Sequence, residues 1–279
     1  MKTMRILFLL LLCHNATAYG LHEDYKHIEC VLKPIAQKAG HVSHPHIPGP
    51  RTLDKGVPKN QATSTNWSGY VAANNLNNPG QNSVSAVYGS WIVPAISAAS
   101  NSTYCAIWVG IDGYNSPSVE QIGTAHDWSN GTAQHYAWFE MYPGGSYAIS
   151  GFPVNVGDVI SASVEYTGNN VFVMRLVNDT KKVVVTIPTS YTTSASAQRK
   201  SAEWVVEAPW SGSILPLTNF GTAYLWGCLA TINGVLGTLK NNAWQNTSLE
   251  MVTNAGIPKS IPSTLLQDQG SFFTTWQHQ

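Results

Sequence analysis

Charged residues are scarce in this sequence of 279 residues: 15 Lys and Arg balance 15 Asp and Glu, and together they make up 11% of the chain. A typical globular domain carries about 25% charged residues. The sparse, balanced charge offers no broad attraction to nucleic acid or to an anionic membrane. Disorder is excluded too, because 43% of the residues are hydrophobic and 10 Trp and 12 Tyr are available for packing.

Sustained helical periodicity is also missing. Short runs rich in Val, Ile, Thr and aromatic residues, separated by Gly, Asn and Pro, predict strands instead. The predicted strands are residues 66–73, 84–93, 106–111, 134–142, 158–166, 171–177, 181–187, 202–207, 223–232 and 249–252. Hairpin turns are indicated by Gly168-Asn169-Asn170, Asn178-Asp179 and Asn233-Gly234. Antiparallel strands without crossover helices exclude α/β folds and predict an all-β sandwich or barrel.

Several familiar catalytic motifs are absent. There is no Gly-x-Ser-x-Gly elbow, no helical His-Glu-x-x-His and no phosphate-binding loop, so these hydrolase, zinc and nucleotide chemistries lack support. A catalytic cysteine is not favoured, because His126, His135 and His278 have no recognisable context. We therefore expect no metal and no cofactor. The remaining candidates for chemistry are the carboxylates of Asp112, Glu120, Asp127, Glu140, Glu203 and Glu207.

The first residues have the features of a secretory signal. Lys2 and Arg5 precede the apolar run at residues 6–13, and Ala-Thr-Ala at 16–18 supplies the small residues that signal peptidase accepts. The apolar run is too short to span a bilayer. We expect residues 1–18 to be removed and the mature protein to be secreted, without a membrane anchor.

Residues 19–61 form a basic segment rich in His and Pro. Residues 1–61 hold 8 Lys/Arg, 4 Asp/Glu and six His, whereas residues 62–279 hold 7 Lys/Arg and 11 Asp/Glu, so the net charges are +4 and −4. The segment is either a solvated extension, with at most a short helix near residues 25–38, or an inhibitory propeptide on an acidic body. In the second case acid would loosen the contact, because body carboxylates gain protons and histidines gain charge.

Only 4 cysteines are present. Cys13 belongs to the signal and Cys30 to the basic segment. Cys105 and Cys228 lie in apolar strands of the body. In an exported protein they would either form a disulfide or remain buried thiols, and the sequence leaves both possibilities open.

Three predicted strands have one face that combines aromatic rings with isolated acids and contains no Lys or Arg. The residues of these faces are Trp108, Asp112, Tyr136, Trp138, Glu140, Tyr142, Glu203 and Glu207. A solvated face of an antiparallel sheet is normally polar along its length. The observed pattern favours a concave groove that receives an extended polymer. The alternative is that these rings pack under loops or against a second sheet.

Several short motifs also occur in a characteristic order. They are Asn66-Trp67-Ser68-Gly69-Tyr70, Trp108-Val109-Gly110-Ile111-Asp112-Gly113, Gln121-Ile122-Gly123, Asp127-Trp128, Tyr136-Ala137-Trp138-Phe139-Glu140-Met141-Tyr142-Pro143, Gly157-Asp158 and Ala202-Glu203-Trp204-Val205-Val206-Glu207. This order, over roughly residues 66–209, resembles the glutamic peptidases, or eqolisins. The resemblance implies a sandwich of two large antiparallel sheets and an acid-active endopeptidase with a Gln/Glu dyad.

The resemblance also implies roles for individual residues. Gln121, in its Gln-Ile-Gly context, matches the family's glutamine, and Glu207 matches the second acid of the family's Ala-Glu-…-Glu strand. The implied residues of the substrate groove are Trp67, Trp108, Asp112, Asp127, Trp138 and Glu140. The implied partners are protein or peptide substrates and the chain's own propeptide as an inhibitor, and we expect a monomer.

The dyad suits peptide hydrolysis, which needs a base for water, a donor for the oxyanion and an acid for the leaving nitrogen. Glu207 would act as base and then acid, and the Gln121 amide as donor. An ionised Glu207 in the free enzyme predicts that kcat/KM falls below its pKa. The competing interpretation is a glycan-binding protein or glycoside hydrolase, because a Trp-lined groove with two carboxylates also suits sugars. A third is a non-catalytic adhesion protein.

Overall fold

The structure, a computed structural model, describes residues 24–28, 31–34, 61–190 and 197–279. These residues form strands and turns, and none of them belongs to a helix. The strands are β1 (Lys26–His27), β2 (Val31–Pro34), β3 (Gln61–Ser64), β4 (Trp67–Ala73), β5 (Val84–Ile92), β6 (Ala106–Ile111), β7 (Val119–Ser129), β8 (Thr132–Tyr142), β9 (Ser146–Ser150), β10 (Val159–Gly168), β11 (Val171–Asn178), β12 (Val183–Ser190), β13 (Ala202–Glu207), β14 (Thr222–Ile232), β15 (Val235–Thr238), β16 (Gln245–Val252), β17 (Pro258–Pro262) and β18 (Phe272–Trp276). A helix of the length and apolarity needed to cross a membrane is therefore not found in these ranges.

The strands form two packed layers. The first layer has the order β2-β9-β8-β7-β6-β13-β4-β16-β3, and only the β16–β3 pair is parallel. The second has the order β1-β12-β11-β10-β5-β14-β18-β17, with β15 beside β14 and only the β1–β12 pair parallel. Because β17 also pairs with β16, the two layers are one continuous mixed sheet folded over itself.

The hydrophobic core lies between the layers. Trp91 of β5, Phe172 of β11 and Trp204 of β13 are completely buried there. The indole N–H of Trp91 donates to Thr124 Oγ1 at 2.9 Å, and that of Trp204 donates to the Tyr88 carbonyl oxygen at 2.7 Å, so hydrogen bonds link the two layers. Burying a large side chain stabilises a fold by about 1.5–3 kcal/mol. The predicted β-sandwich is confirmed.

The hairpin turns follow the sequence prediction closely. Asn169 and Asn170 have φ values of 52° and 62°, and Asn233 and Gly234 have φ values of 51° and 76°. Residues with short polar side chains or none adopt these left-handed conformations at least cost. These turns join β10 to β11 and β14 to β15.

Two features of the N-terminal segment differ from expectation. The predicted short helix near residues 25–38 is wrong, because β1 and β2 are strands, each paired with the outermost strand of one layer. Short edge strands are determined by the partner that they pair with, which local composition does not reveal. The predicted signal at residues 1–18 and most of the predicted propeptide lie outside the described residues.

The two body cysteines are free thiols. Cys105 and Cys228 are both completely buried and do not pair with each other. Burial raises the pKa of each thiol well above its ordinary value, so neither is a thiolate at neutral pH.

Candidate active site

The first layer presents one face to the core and the opposite face, which we call the groove face, away from it. On β13 the alternation of side chains places Glu203, Val205 and Glu207 on the groove face. The register then aligns three rows across the layer: Val71, Glu203, Gly110, Gln121 and Glu140; Gly69, Val205, Trp108, Gly123 and Trp138; Trp67, Glu207, Ala106, Ala125 and Tyr136. The candidates from β4, β6, β7, β8 and β13 therefore share one surface.

The groove face is buried and aromatic. Trp67, Trp108 and Trp138 are fully buried there and form a second apolar cluster, separate from the core between the layers. The rings of Trp67 and Trp108 meet edge to face, with centroids 4.9 Å apart. Such low-polarity surroundings strengthen the electrostatic interactions of the acids among them.

Two glycines create the space for the Trp108 indole. A Cβ on Gly123 would lie 2.1 Å from the Ile107 carbonyl oxygen and 2.6 Å from Trp108 Cβ. A Cβ on Gly110 would lie 2.8 Å from Trp108 Cζ3. Neither position tolerates a side chain without displacing the tryptophan, so both glycines position this residue.

Glu207 is almost completely buried and accepts two directed hydrogen bonds. Its Oε2 accepts from the Trp108 indole N–H at 2.8 Å, and its Oε1 accepts from Asn66 Nδ2 at 3.3 Å. Burial raises the pKa of Glu207 to about 8, although the donors Trp108, Trp67 and Asn66 favour the charged form. The carboxyl is therefore protonated in acid, in contrast to the ionised group that the sequence analysis expects.

Gln121 is bonded to a second buried acid. Its amide Nε2 donates to Glu140 Oε2 at 2.8 Å, and both side chains are buried. Burial raises the pKa of Glu140 well above its ordinary value, and the charge of Glu207 raises it further. The strand register places Gln121, Glu140 and Glu207 on the same face of the first layer, and the charge of Glu207 affects the pKa of Glu140. Gln121 Oε1 has no hydrogen-bond partner among the residues that the structure describes.

Asp127 lies further along β7 on the groove face. Its carboxylate accepts the Tyr136 hydroxyl at 3.0 Å and the Cys105 backbone N–H at 3.4 Å. Burial raises its pKa to about 7, against the effect of these two donors.

Asp112 has a different environment from the other predicted groove residues. Its carboxylate accepts the backbone N–H groups of Arg199 and Lys200 at 2.6 and 2.9 Å, and the Ser118 hydroxyl at 3.3 Å. Its own φ is 73°, at the sharp end of β6. None of these hydrogen bonds is made with another predicted site residue. The two backbone bonds hold the loop before β13 in place.

Sequence reasoning missed the role of Asn66. The residue appears in the Asn-Trp-Ser-Gly-Tyr motif, but nothing local indicates that its amide reaches a glutamate 141 positions later. Within the described ranges, no group of three or more His, Cys, Asp or Glu side chains is arranged to hold a metal ion.

Comparison with known proteins adds independent findings. The family model described as the Peptidase A4 family matches residues 65–261. Aspergillopepsin-2 of Aspergillus niger is 30% identical over 227 residues, which are 71% of this chain and 77% of that protein. Scytalidopepsin B of Scytalidium lignicola is 32% identical over 149 residues, or 53% of this chain and 54% of that protein.

Solved structures with the same fold are also found. A scytalido-glutamic peptidase, determined with a transition state analog inhibitor, superposes with a TM-score of 0.63 at 24% identity, covering 76% of this chain and 98% of that one. Aspergilloglutamic peptidase from Aspergillus niger superposes with a TM-score of 0.56 at 25% identity, covering 63% of this chain and 99% of that one.

Proposed function

The chain belongs to the peptidase A4 family, the glutamic peptidases, and from this premise we propose that it is an acid-active endopeptidase in which Glu207 and Gln121 carry out the chemistry. The observation that supports the pair is the environment of Glu207. Among the acids in the three groove-face rows, Glu207 is the one that accepts both an indole N–H, from Trp108, and an amide N–H, from Asn66. Its charge also raises the pKa of Glu140, which accepts a hydrogen bond from Gln121. Such perturbed, buried acids are typical of functional sites.

The protonated carboxyl of Glu207 supports both proton transfers. When water attacks the peptide carbonyl carbon, Glu207 gives its proton to the carbonyl oxygen while its second oxygen takes a proton from the water. The carboxyl is protonated again at the end of this step, and the substrate is a tetrahedral diol. In the next step Glu207 protonates the nitrogen and accepts a proton from a hydroxyl of the diol, and the C–N bond breaks.

Gln121 supplies the donor for the substrate oxygen. Its amide has two N–H groups, of which one is engaged by Glu140 at 2.8 Å. The second would donate to the carbonyl oxygen of the substrate as the carbon bound to it becomes tetrahedral, where preorganised donors contribute most. Because an amide does not titrate in this range, Gln121 remains a donor throughout the acid range.

The proposal is tested by digesting a denatured protein at about pH 3–4 with wild type, Gln121→Ala and Glu207→Gln. We expect Gln121→Ala to lower kcat by about 10²–10³-fold, as for loss of one oxyanion donor, and Glu207→Gln to abolish activity. The matched control is Glu165→Gln, which removes a carboxylate from the second layer, where it pairs with Arg175 at 3.7 Å. Undiminished proteolysis by either site variant would overturn the dyad.

The glycan-binding alternative is not favoured, because the relatives above are peptidases. The same digestion distinguishes it: a glycosidase would leave the protein substrate intact and hydrolyse a polysaccharide.

We further propose that residues 1–18 direct secretion and that residues 19–61 are an inhibitory propeptide. In support, β1 and β2 extend both layers at their edges, and the Tyr25 hydroxyl donates to Asp179 Oδ1 at 2.9 Å while it accepts from Lys182 Nζ at 3.0 Å. Purified precursor incubated across a pH series should be cut near Thr63 only in acid. Absence of acid-dependent cleavage there would contradict the propeptide assignment.

A further inference from the structure

Ser64 and Asn66 form a hydrogen-bonded pair next to the Glu207 carboxyl, where the chain passes from β3 into β4. Asn66 is completely buried and donates to Glu207 Oε1, and Ser64, the last residue of β3, is buried beside it. Neither residue belongs to the proposed dyad or to the predicted groove.

Ser64 fixes which way the Asn66 amide points. The Ser64 hydroxyl donates to Asn66 Oδ1 at 3.2 Å. Ser64 Oγ itself accepts the backbone N–H groups of Asn66 at 3.4 Å and Trp67 at 3.1 Å. With its acceptor capacity used by two backbone donors, the hydroxyl must direct its proton to the amide oxygen. The Asn66 NH₂ group is thereby turned towards Glu207. With the amide reversed, Asn66 Oδ1 would face Glu207 Oε1, and the ionised carboxylate has no proton to donate to it.

The pair is anchored to the strands on either side of it. Ser64 stands opposite Met251 in the parallel pairing of β3 with β16. The Asn66 carbonyl oxygen accepts the backbone N–H of Ala208, the residue after Glu207, at 2.8 Å. These backbone contacts hold the Asn66 backbone next to that of Glu207.

We propose, resting on the function proposed for Glu207, that Asn66 is a positioning residue and that Ser64 orients it, so that the pair holds the Glu207 carboxyl in place and stabilises its ionised form. A neutral amide can do this without adding a charge to a buried site, and a hydrogen bond to a charged group contributes more than one between neutral groups. Glu140 and Cys105 each experience the charge of Glu207, and neither is a cation.

The test measures the Glu207 carboxyl itself. Chain labelled with ¹³C at the glutamate carboxyl carbon is titrated by NMR, and Glu207→Gln identifies the signal. Asn66→Ala should raise the pKa of Glu207 by about one unit or more, since a donor to the charged form is lost, and should lower kcat at least about tenfold with little change in KM. Ser64→Ala should act in the same direction to a smaller extent, and Ser64→Thr should restore wild-type behaviour.

Ser68→Ala is the matched control. Ser68 is also buried and next to the pair in sequence, but it points to the other face of β4, where its hydroxyl lies 2.6 Å from Thr274 Oγ1 and 3.3 Å from the Ser260 carbonyl oxygen. Its loss should lower the melting temperature without moving the Glu207 titration.

The outcomes separate the two proposals. An unchanged Glu207 titration in Asn66→Ala and Ser64→Ala would overturn the positioning role, whatever their activity. Should Asn66→Ala fail to fold, Ser64→Ala decides, because it keeps the amide and removes the hydroxyl that orients it, together with the acceptor for the Asn66 and Trp67 backbone N–H groups. Full activity of Glu207→Gln would instead overturn the proposed function, while the titrations still measure the effect of the pair.

Discussion

At the scale of single residues, burial and hydrogen bonding have opposite effects on the pKa of Glu207. Burial raises its pKa to about 8, and the Trp108 indole N–H at 2.8 Å is the strongest opposing influence. If the protonated carboxyl is the reactive form, kcat/KM falls as pH rises through this pKa. This direction is opposite to the one expected from an ionised base.

Trp108→Phe provides the corresponding prediction. The variant keeps an aromatic ring between Gly110 and Gly123 but removes the N–H that favours the charged form of Glu207. The alkaline limb of the kcat/KM profile should therefore move to higher pH, by about one unit for a lost hydrogen bond to a charged group. Initial rates on a peptide substrate across pH 3–9 measure it, and a shift to lower pH would contradict the assignment.

Residue identities at the site could be predicted only where a motif carries them. Gln121 and Glu207 stand in short motifs whose order resembles the family's, and the fold brings them to one face. Asp112 also stands in such a motif, yet its carboxylate is engaged by the backbone of Arg199 and Lys200. The hydrogen bond from Asn66 to Glu207 joins the residue before β4 to the end of β13. No local sequence pattern indicates such a contact.

At the scale of elements, strands with a regular pattern of apolar residues were predictable and polar strands were not. β6 and β13 have the predicted bounds, Ala106–Ile111 and Ala202–Glu207. β7, which carries Gln121, was not predicted, because it buries Glu, Gln, Thr, His and Asp along its length. One signal was available: Asn130-Gly131, with φ values of 52° and 74°, is the hairpin turn that joins β7 to β8.

The β7–β8 hairpin also contains a histidine pair that opposes stability in acid. His126 Nδ1 lies 2.9 Å from His135 Nδ1, and His126 Nε2 lies 2.9 Å from Thr124 Oγ1. Burial lowers the pKa of both rings, and the charge of His135 further lowers that of His126. Because folding lowers the pKa of both rings, the unfolded chain gains protons before the folded protein does as pH falls below the ordinary histidine pKa of about 6.5. Stability is therefore lost as pH falls through this range.

His135→Gln should therefore become more stable relative to wild type as the pH falls from 7 to 4. The glutamine amide cannot be protonated in this range, so the variant removes the contribution of His135 to this loss of stability, while the buried His126 keeps its own. Urea unfolding of both proteins at each pH measures the difference. A difference in the free energy of unfolding that stays constant across this range would show that His135 does not contribute to the loss of stability in acid.

At the scale of the whole molecule, the carboxyls of the first layer have the opposite effect. Burial raises the pKa of Asp127 to about 7 and of Glu207 to about 8, and it also raises those of Asp112, Glu140 and Glu203. Raised folded-state values mean that the folded protein holds these protons more tightly than the unfolded chain. Their stabilising effect is full below about pH 4 and is lost as pH rises through the folded-state values. With 7 Lys/Arg in residues 62–279, the body also gains little positive charge in acid.

Asp127→Asn tests this account of acid stability at one position. The amide oxygen keeps an acceptor for the Tyr136 hydroxyl, which lies 3.0 Å from Asp127 Oδ2, but the group no longer ionises. Each unit of pKa shift corresponds to about 1.4 kcal/mol. The free energy of unfolding should therefore decrease between pH 4 and pH 8 by about 2–4 kcal/mol less in the variant than in wild type. Glu165→Gln, at the surface pair with Arg175, should follow wild type. Equal losses in Asp127→Asn and wild type would mean that Asp127 ionises freely in the folded protein, and any stabilisation in acid would then have to arise from the other carboxyls of the groove face.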